Sequence, residues 1–182
     1  MRPQYWFSRA HLSTEDCDKI ITFGESYPSQ DGTVGLNDGN FGVNDMRRSI
    51  VRWLPRQSDV GHMMMQLFTH ANRDFAFDCA EIYNIQFTEY RGDNSGHYDW
   101  HADVSWGADA QYDRKLSMSI QLSDPDEYRG GDFELRNSNP PEGLRDRGSV
   151  IIFPAYLLHR VTPVTAGIRR SLVTWIEGPR WR

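Results

Sequence analysis

The chain has little cysteine. Its two, Cys17 and Cys79, form no CxxC pair. That excludes a zinc ribbon and a dense disulfide framework, and free thiols in a reducing compartment are expected rather than a Cys17–Cys79 bridge. No apolar run reaches membrane-span length, and the opening MRPQYWFSRAHLSTED lacks the apolar stretch of a secretory signal. A soluble, cytoplasmic protein is the expectation. There is little charge of one sign: 20 Lys and Arg against 25 Asp and Glu leave −5. This gives no reason to expect nucleic acid or an anionic membrane as partner. There is no internal repeat and no low-complexity tract, which excludes a solenoid or a long disordered arm. Nothing in the composition fixes an oligomeric state.

What is present reads as one domain over 1–182, with a helical support region over 1–79 and a strand-rich core over 80–182. Residues 4–8 fit a short strand. Ser13-Thr14-Glu15-Asp16 starts a helix with a hydroxyl cap and early acids, and Ile20, Ile21 and Phe23 carry it to about Ser26. Residues 28–45, rich in Gly, Asn and Asp, read as a long loop placed to close over a substrate. Arg47 to Leu54 alternates like a strand. Ser58 caps a second helix, in which Val60, Met63, Met64, Leu67, Phe68 and Ala71 keep helical spacing. From Ala80 the pattern changes to strands: 81–90, 115–123, 149–153, 160–164 and 170–176. In Lys115–Ser123, Leu116, Met118, Ile120 and Leu122 alternate with Ser117, Ser119, Gln121 and Ser123. One face meets a core, and the other suits the polar lining of a ligand-bearing barrel. Many short strands separated by turns point to a sandwich, barrel or jelly roll buttressed by the helices.

Two tandem HxD pairs follow, His97-Tyr98-Asp99 and His101-Ala102-Asp103. On a strand all four polar side chains fall on one face, so spacing does not choose between them. A lone His159 follows the apolar stretch Phe153–Leu158. Two imidazoles and one carboxylate form the set that holds non-haem Fe(II) and leaves coordination positions open. Arg169 and Arg170 come ten and eleven residues after His159, beyond a turn at Thr165-Ala166-Gly167. Only one of them can face inward, where a guanidinium needs an anion and a carboxylate matches its fork.

The ordered combination of Tyr98–Asp103, LSMSIQLSDP (116–125), Gly130-Gly131-Asp132 and HRVTPV (159–164) followed by Arg169 resembles the Fe(II)/2-oxoglutarate-dependent dioxygenases. Within them it resembles the prolyl 4-hydroxylase-like branch that includes PKHD-type hydroxylases. The resemblance implies a double-stranded β-helix, a jelly roll. It implies His101, Asp103 and His159 as catalytic metal ligands, an aromatic at Tyr98, and Arg169 rather than Arg170 on the far carboxylate of 2-oxoglutarate. Tyr90 and Gln121 become neighbours of that co-substrate, although relatives often carry tyrosine where Gln121 stands. Tyr98, Arg114 and Trp175 become substrate-side residues. The implied reactants are Fe(II), 2-oxoglutarate and O2, with ascorbate as accessory. Succinate and CO2 are released as an unactivated C–H bond is hydroxylated, on prolyl residues of a peptide or protein or, alternatively, on a free amino acid or other small molecule. An AlkB-like nucleic-acid demethylase is disfavoured because Trp175 stands where that branch has a second arginine. The absence of HxH disfavours a cupin-type site. A non-catalytic metal-binding β-sandwich is the reading from another class, and succinate formation separates it from the enzyme.

Overall fold

Two hydroxyls start the helices. In the computed structural model Ser13 Oγ accepts from the Asp16 N–H at 3.1 Å ahead of α1 (Thr14–Glu25), and Ser58 Oγ accepts from the Gly61 N–H at 3.2 Å ahead of α2 (Asp59–Phe75). The structure describes residues 3–35, 41–42, 45–104 and 111–181. Its strands are β1 (Trp6–Ser8), β2 (Gln30–Asp31), β3 (Val34–Gly35), β4 (Phe41–Gly42), β5 (Arg47–Arg48), β6 (Ile50–Leu54), β7 (Glu81–Arg91), β8 (His97–His101), β9 (Tyr112–Gln121), β10 (Tyr128–Gly130), β11 (Phe133–Leu135), β12 (Val150–Pro154), β13 (His159–Val161) and β14 (Val164–Pro179).

Among the described residues these strands pair antiparallel into a large sheet, ordered β1-β12-β9-β14-β7-β6-β2 with β10 added on β14. A four-stranded sheet runs β11-β13-β8-β5, and β3 pairs with β4. The helices cover one face of the large sheet. Cys17 and Ile20 of α1, and Met64, Leu67, Phe68, Ala71 and Phe75 of α2, pack on Ile85, Phe87, Leu116, Met118, Ile120, Ile152 and Leu172. The other face looks across a cavity at the four-stranded sheet, as in a jelly roll. The helix-facing set on β9 is the one the alternation in 115–123 predicts.

Four details differ from the sequence reading. The Arg47–Leu54 strand is two strands. Arg47 pairs with Tyr98 in the small sheet and Ile50 pairs with Glu89 in the large one, so the chain changes sheets at Ser49. The strands expected over 160–164 and 170–176 break elsewhere. β13 ends at Val161, and β14 runs unbroken through Thr165-Ala166-Gly167 in the other sheet. Gly167 serves close packing: at φ 72° it lies opposite Tyr128, and a Cβ there would sit 1.9 Å from the Glu127 carbonyl oxygen. The 28–45 stretch contains the two-residue strands β2, β3 and β4, and the lid expected there falls partly on residues 36–40 and 43–44, outside the described residues. In the support region the strands expected at 4–8 and 47–54 enter the large sheet as β1 and β6, and β2, which the loop reading of 28–45 did not include, joins them there.

Candidate active site

His101 on β8 lies directly opposite His159 on β13, but the next pair in register is Tyr98 with Val161. β8 therefore carries one extra residue, a bulge that breaks the period of two. Tyr98 and His101 come to the same side, their rings stacked at 3.5 Å and 11°. The expectation that all four HxD side chains share a face is thus corrected. The ring nitrogens of His97 lie 2.8 and 2.9 Å from the carbonyl oxygens of Ser95 and Asp45, and Asp99 Oδ1 accepts from the Trp100 N–H at 2.7 Å. Only the second pair is left for the cavity.

Asp103 stands two residues past the end of β8, fixed by its N–H donating to the Ala155 carbonyl at 2.9 Å. Its carboxylate oxygens are 3.7 Å from His101 Nε2 and 3.4 Å from His159 Nε2. The three ligand atoms lie within 4.8 Å of one another. Each imidazole turns Nδ1 to a carbonyl two residues back: His101 to Asp99 at 2.7 Å, His159 to Leu157 at 3.0 Å. A carbonyl only accepts, so each Nδ1 carries a proton and each Nε2 is turned toward Asp103. Burial, then the neighbouring His159, push the His101 imidazolium down to about 3. Burial alone would raise the Asp103 carboxyl. His159, His101 and Arg114, with the hydroxyl of Ser117, outweigh burial and hold it below the ordinary carboxylate range. A neutral His101 imidazole and an ionised Asp103 carboxylate are protonation states a divalent cation needs. The donor set fits Fe(II), with no thiolate drawing it toward zinc.

Arg169 lies on β14 opposite Tyr90, its Cζ 5.7 Å from that ring. It is 4% exposed, and its hydrogen bond is a 3.5 Å contact from Nη1 to Ser171 Oγ. Among the described residues no carboxylate pairs with it. Gly131 makes room for its stem: a Cβ there would sit 3.0 Å from Arg169 Cδ. Arg170 points the other way, donating to Glu25 Oε1 at 3.2 Å.

A cavity of about 790 Å³ between the sheets is lined by His101, Asp103, His159, Arg169, Tyr90 and Tyr98, and further along by Arg114 and Trp175. Arg114 stacks over Trp175 at 4.0 Å and over Tyr83 at 5.2 Å. Among the described residues the buried Trp175 Nε1–H has no acceptor. Gln121 is not on this cavity. Its amide donates to Tyr128 Oη at 3.0 Å and to the Ser123 carbonyl at 3.1 Å, beside a void of about 10 Å³ that it shares with Arg169. Two residues escaped the sequence reading as site residues. Ser117 donates to Asp103 Oδ2 at 2.5 Å. The polar alternation in KLSMSIQLS was its signal. Arg47 lines the cavity with one guanidinium nitrogen unpaired among the described residues. Only the break at Ser49 turns it inward, and no local pattern announces that break. Cys17 is buried and Cys79 half-buried, both as free thiols. Among the described residues no helix is long and apolar enough to cross a membrane.

The family model described as the 2OG-Fe(II) oxygenase superfamily matches residues 85–177. A PKHD-type hydroxylase of Pseudoalteromonas atlantica is 29% identical over 177 residues, 94% of this chain and 67% of that protein. One from an Azoarcus species is 38% identical over 95 residues, 50% of this chain and 41% of that protein. The matched region thus spans about two fifths of several such relatives. In fold, the chain is similar to a viral collagen prolyl hydroxylase of Paramecium Bursaria Chlorella virus-1 solved with 2OG (TM-score 0.68, 19% identity, 97% of each chain). It is likewise similar to a Pseudomonas putida prolyl-4-hydroxylase (TM-score 0.65, 17% identity, 98% of this chain and 94% of that one). A Trichoplax adhaerens prolyl hydroxylase solved with a hypoxia inducible factor peptide has TM-score 0.67 at 14% identity, over 95% and 83% of the two chains.

Proposed function

Because this chain belongs to the 2OG-Fe(II) oxygenase superfamily, we propose that residues 1–182 form one catalytic domain that hydroxylates prolyl residues of a peptide or protein, consuming 2-oxoglutarate and releasing succinate and CO2. The observation that supports this most is the meeting, in one cavity, of His101, Asp103 and His159 with a buried arginine, Arg169, that has no carboxylate partner among the described residues.

His101, Asp103 and His159 would hold Fe(II), which supplies the activation of O2 and the oxidation of a C–H bond when bound. The residues themselves have simpler tasks. Asp99 and Leu157 carbonyls keep a proton on each imidazole Nδ1. Ser117 holds one carboxylate oxygen of Asp103 and so sets its angle. Arg169 takes the far carboxylate of 2-oxoglutarate, a charge-assisted pair at a buried guanidinium. Phe133 and Phe153 pack on the His159 ring at 5.8 and 4.8 Å and keep that wall dry. Arg114 and Trp175, stacked at the other end, meet the prime substrate, where the indole N–H can donate to a peptide carbonyl.

Purified protein with Fe(II), ascorbate and 2-oxoglutarate should form succinate, and a proline-containing peptide library should gain about 16 Da, one oxygen atom, on proline. No metal-dependent succinate would overturn the oxygenase reading. Succinate with the added mass on another residue or a free amino acid would overturn the prolyl assignment alone. Arg169→Ala should raise the 2-oxoglutarate concentration for half-maximal turnover about 10- to 100-fold. An unchanged requirement would remove Arg169 from that role.

A further inference from the structure

The cavity wall contains a second buried guanidinium. Arg47 of β5 lies opposite Tyr98 of β8 and is 7% exposed. Its Cζ stands 4.7 Å over the Tyr98 ring. The His101 imidazole stacks flat on that ring at 3.5 Å and covers one face, so Arg47 lies over the other, one aromatic ring from the metal cluster. Two hydrogen bonds fix the guanidinium plane: Nε donates to Ser49 Oγ at 2.8 Å and Nη1 to the Thr33 carbonyl at 3.3 Å. Among the described residues the buried Nη2 has no partner and no carboxylate pairs with Arg47. The same fold treats a structural arginine differently. Arg52, just along the chain, also has one buried nitrogen without a partner among the described residues, its Nε, but its charge is paired with Glu89 at 2.8 Å. A buried cation left open on a cavity wall is costly unless an anion completes it.

We infer that Arg47 is a second anion seat, and that the prime substrate carries a carboxylate close to the carbon that is oxidised. The inference rests on the oxygenase reading above. A dicarboxylic co-substrate spanning from Arg169 to the His101–Asp103–His159 cluster has both its carboxylates placed, so the anion at Arg47 comes from the other reactant. One open N–H edge suits one carboxylate oxygen. That carboxylate can be an acidic side chain beside the target proline or the α-carboxylate of a free amino acid.

The test is binding, measured by calorimetry with Zn(II) and 2-oxoglutarate present so that no turnover intervenes. The probes are short acetylated, amidated peptides with a central proline, in which Asp is walked through the flanking positions, each with its Asn twin. N-acetylproline is compared with N-acetylprolinamide in the same way. One acid should bind about 10- to 100-fold more tightly than its neutral twin. Which pair differs separates the two sources of the carboxylate. Arg47→Gln should bring that ratio to about one, and Arg47→Lys should restore part of it. Arg47→Met serves if the Gln variant does not fold. Equal binding of every twin pair to the wild type would overturn the seat. So would a ratio that survives Arg47→Gln, or a loss confined to 2-oxoglutarate binding. A wild type that forms no succinate with Fe(II) would sink the oxygenase reading instead, and the acid-to-amide ratio would still report on Arg47.

Discussion

The two faces of the large sheet are built by alternate residues of the same strands, and both are out of water. Phe87, Leu116, Met118, Ile120 and Leu172 on the helix face are 0% exposed. Gln86, Ser117, Arg169 and Ser171 on the cavity face are 4% or less. Burial therefore does not tell core from site here. Completion does. The apolar side chains of the helix face pack on one another and the Arg52 guanidinium there is paired with Glu89, whereas among the described residues the cavity face carries guanidinium groups with no carboxylate and an indole N–H with no acceptor. Dry packing stabilises the fold. Buried polar groups left open cost stability and mark where a ligand finishes the structure.

Breaking one face at a time should separate these roles. The largest effect belongs to the cavity face: Asp103→Ala should abolish metal-dependent succinate formation while the thermal melt stays close to wild type, since the variant also removes a desolvated charge. Turnover that persists would show that the cluster is not the metal site. Phe87→Ala should do the reverse. Its ring fills the space over Gly24, where a Cβ would sit 2.6 Å from it, and its loss should cost about 3–5 kcal/mol in urea unfolding. The surviving folded fraction should keep its 2-oxoglutarate dependence. A cost below about 1 kcal/mol would mean the helix face is loosely packed. Ser117→Ala, which frees one oxygen of Asp103, should weaken Fe(II) binding about 10- to 100-fold with little change in stability. Equal metal affinity would reduce Ser117 to a bystander.

Periodicity made the helix face legible. The heptad-like spacing in 58–75 and the alternation in 115–123 place Met64, Phe68, Leu116 and Met118 in the core where the structure has them. On the cavity face the residue types named candidates, but it was the family resemblance that chose Arg169 over Arg170 and made His159 a ligand. That face was illegible where local geometry departs from its period. Spacing alone could not choose between the tandem pairs, because the choice depends on a bulge between Tyr98 and His101 that no residue in HYDWH requires. Arg47 was hidden for the same reason, since a strand read as continuous over 47–54 changes sheets at Ser49. Gln121 was placed by alternation on the correct face. Its amide is nonetheless taken by Tyr128, a partner seven residues away that a strand pattern does not reveal.

The smallest effect is one of slope, and it too differs between the faces. In the folded, metal-free protein His101 is pushed down to about 3, by burial first and then by His159, from an ordinary value of 6.5. The unfolded chain therefore binds more protons than the folded one between those two values. The stability His101 contributes is complete above pH 6.5 and is lost as pH falls toward about 3. One such group gives at most about 1.4 kcal/mol per pH unit. Asp103 adds loss of the same sign, but only below its ordinary 3.8, and Glu177, raised by burial above its ordinary 4.5, adds a slope of the opposite sign, so the His101 share of the window from about 6.5 to 4 is the part that a His101 variant removes. Urea unfolding of metal-free protein across that window should show stability falling with pH, and His101→Asn should flatten the fall. Phe87→Ala should lower the whole curve without changing its slope. A slope that His101→Asn leaves intact would place the titration elsewhere, and the cavity face would then lose its claim to be the pH-sensitive side of the sheet.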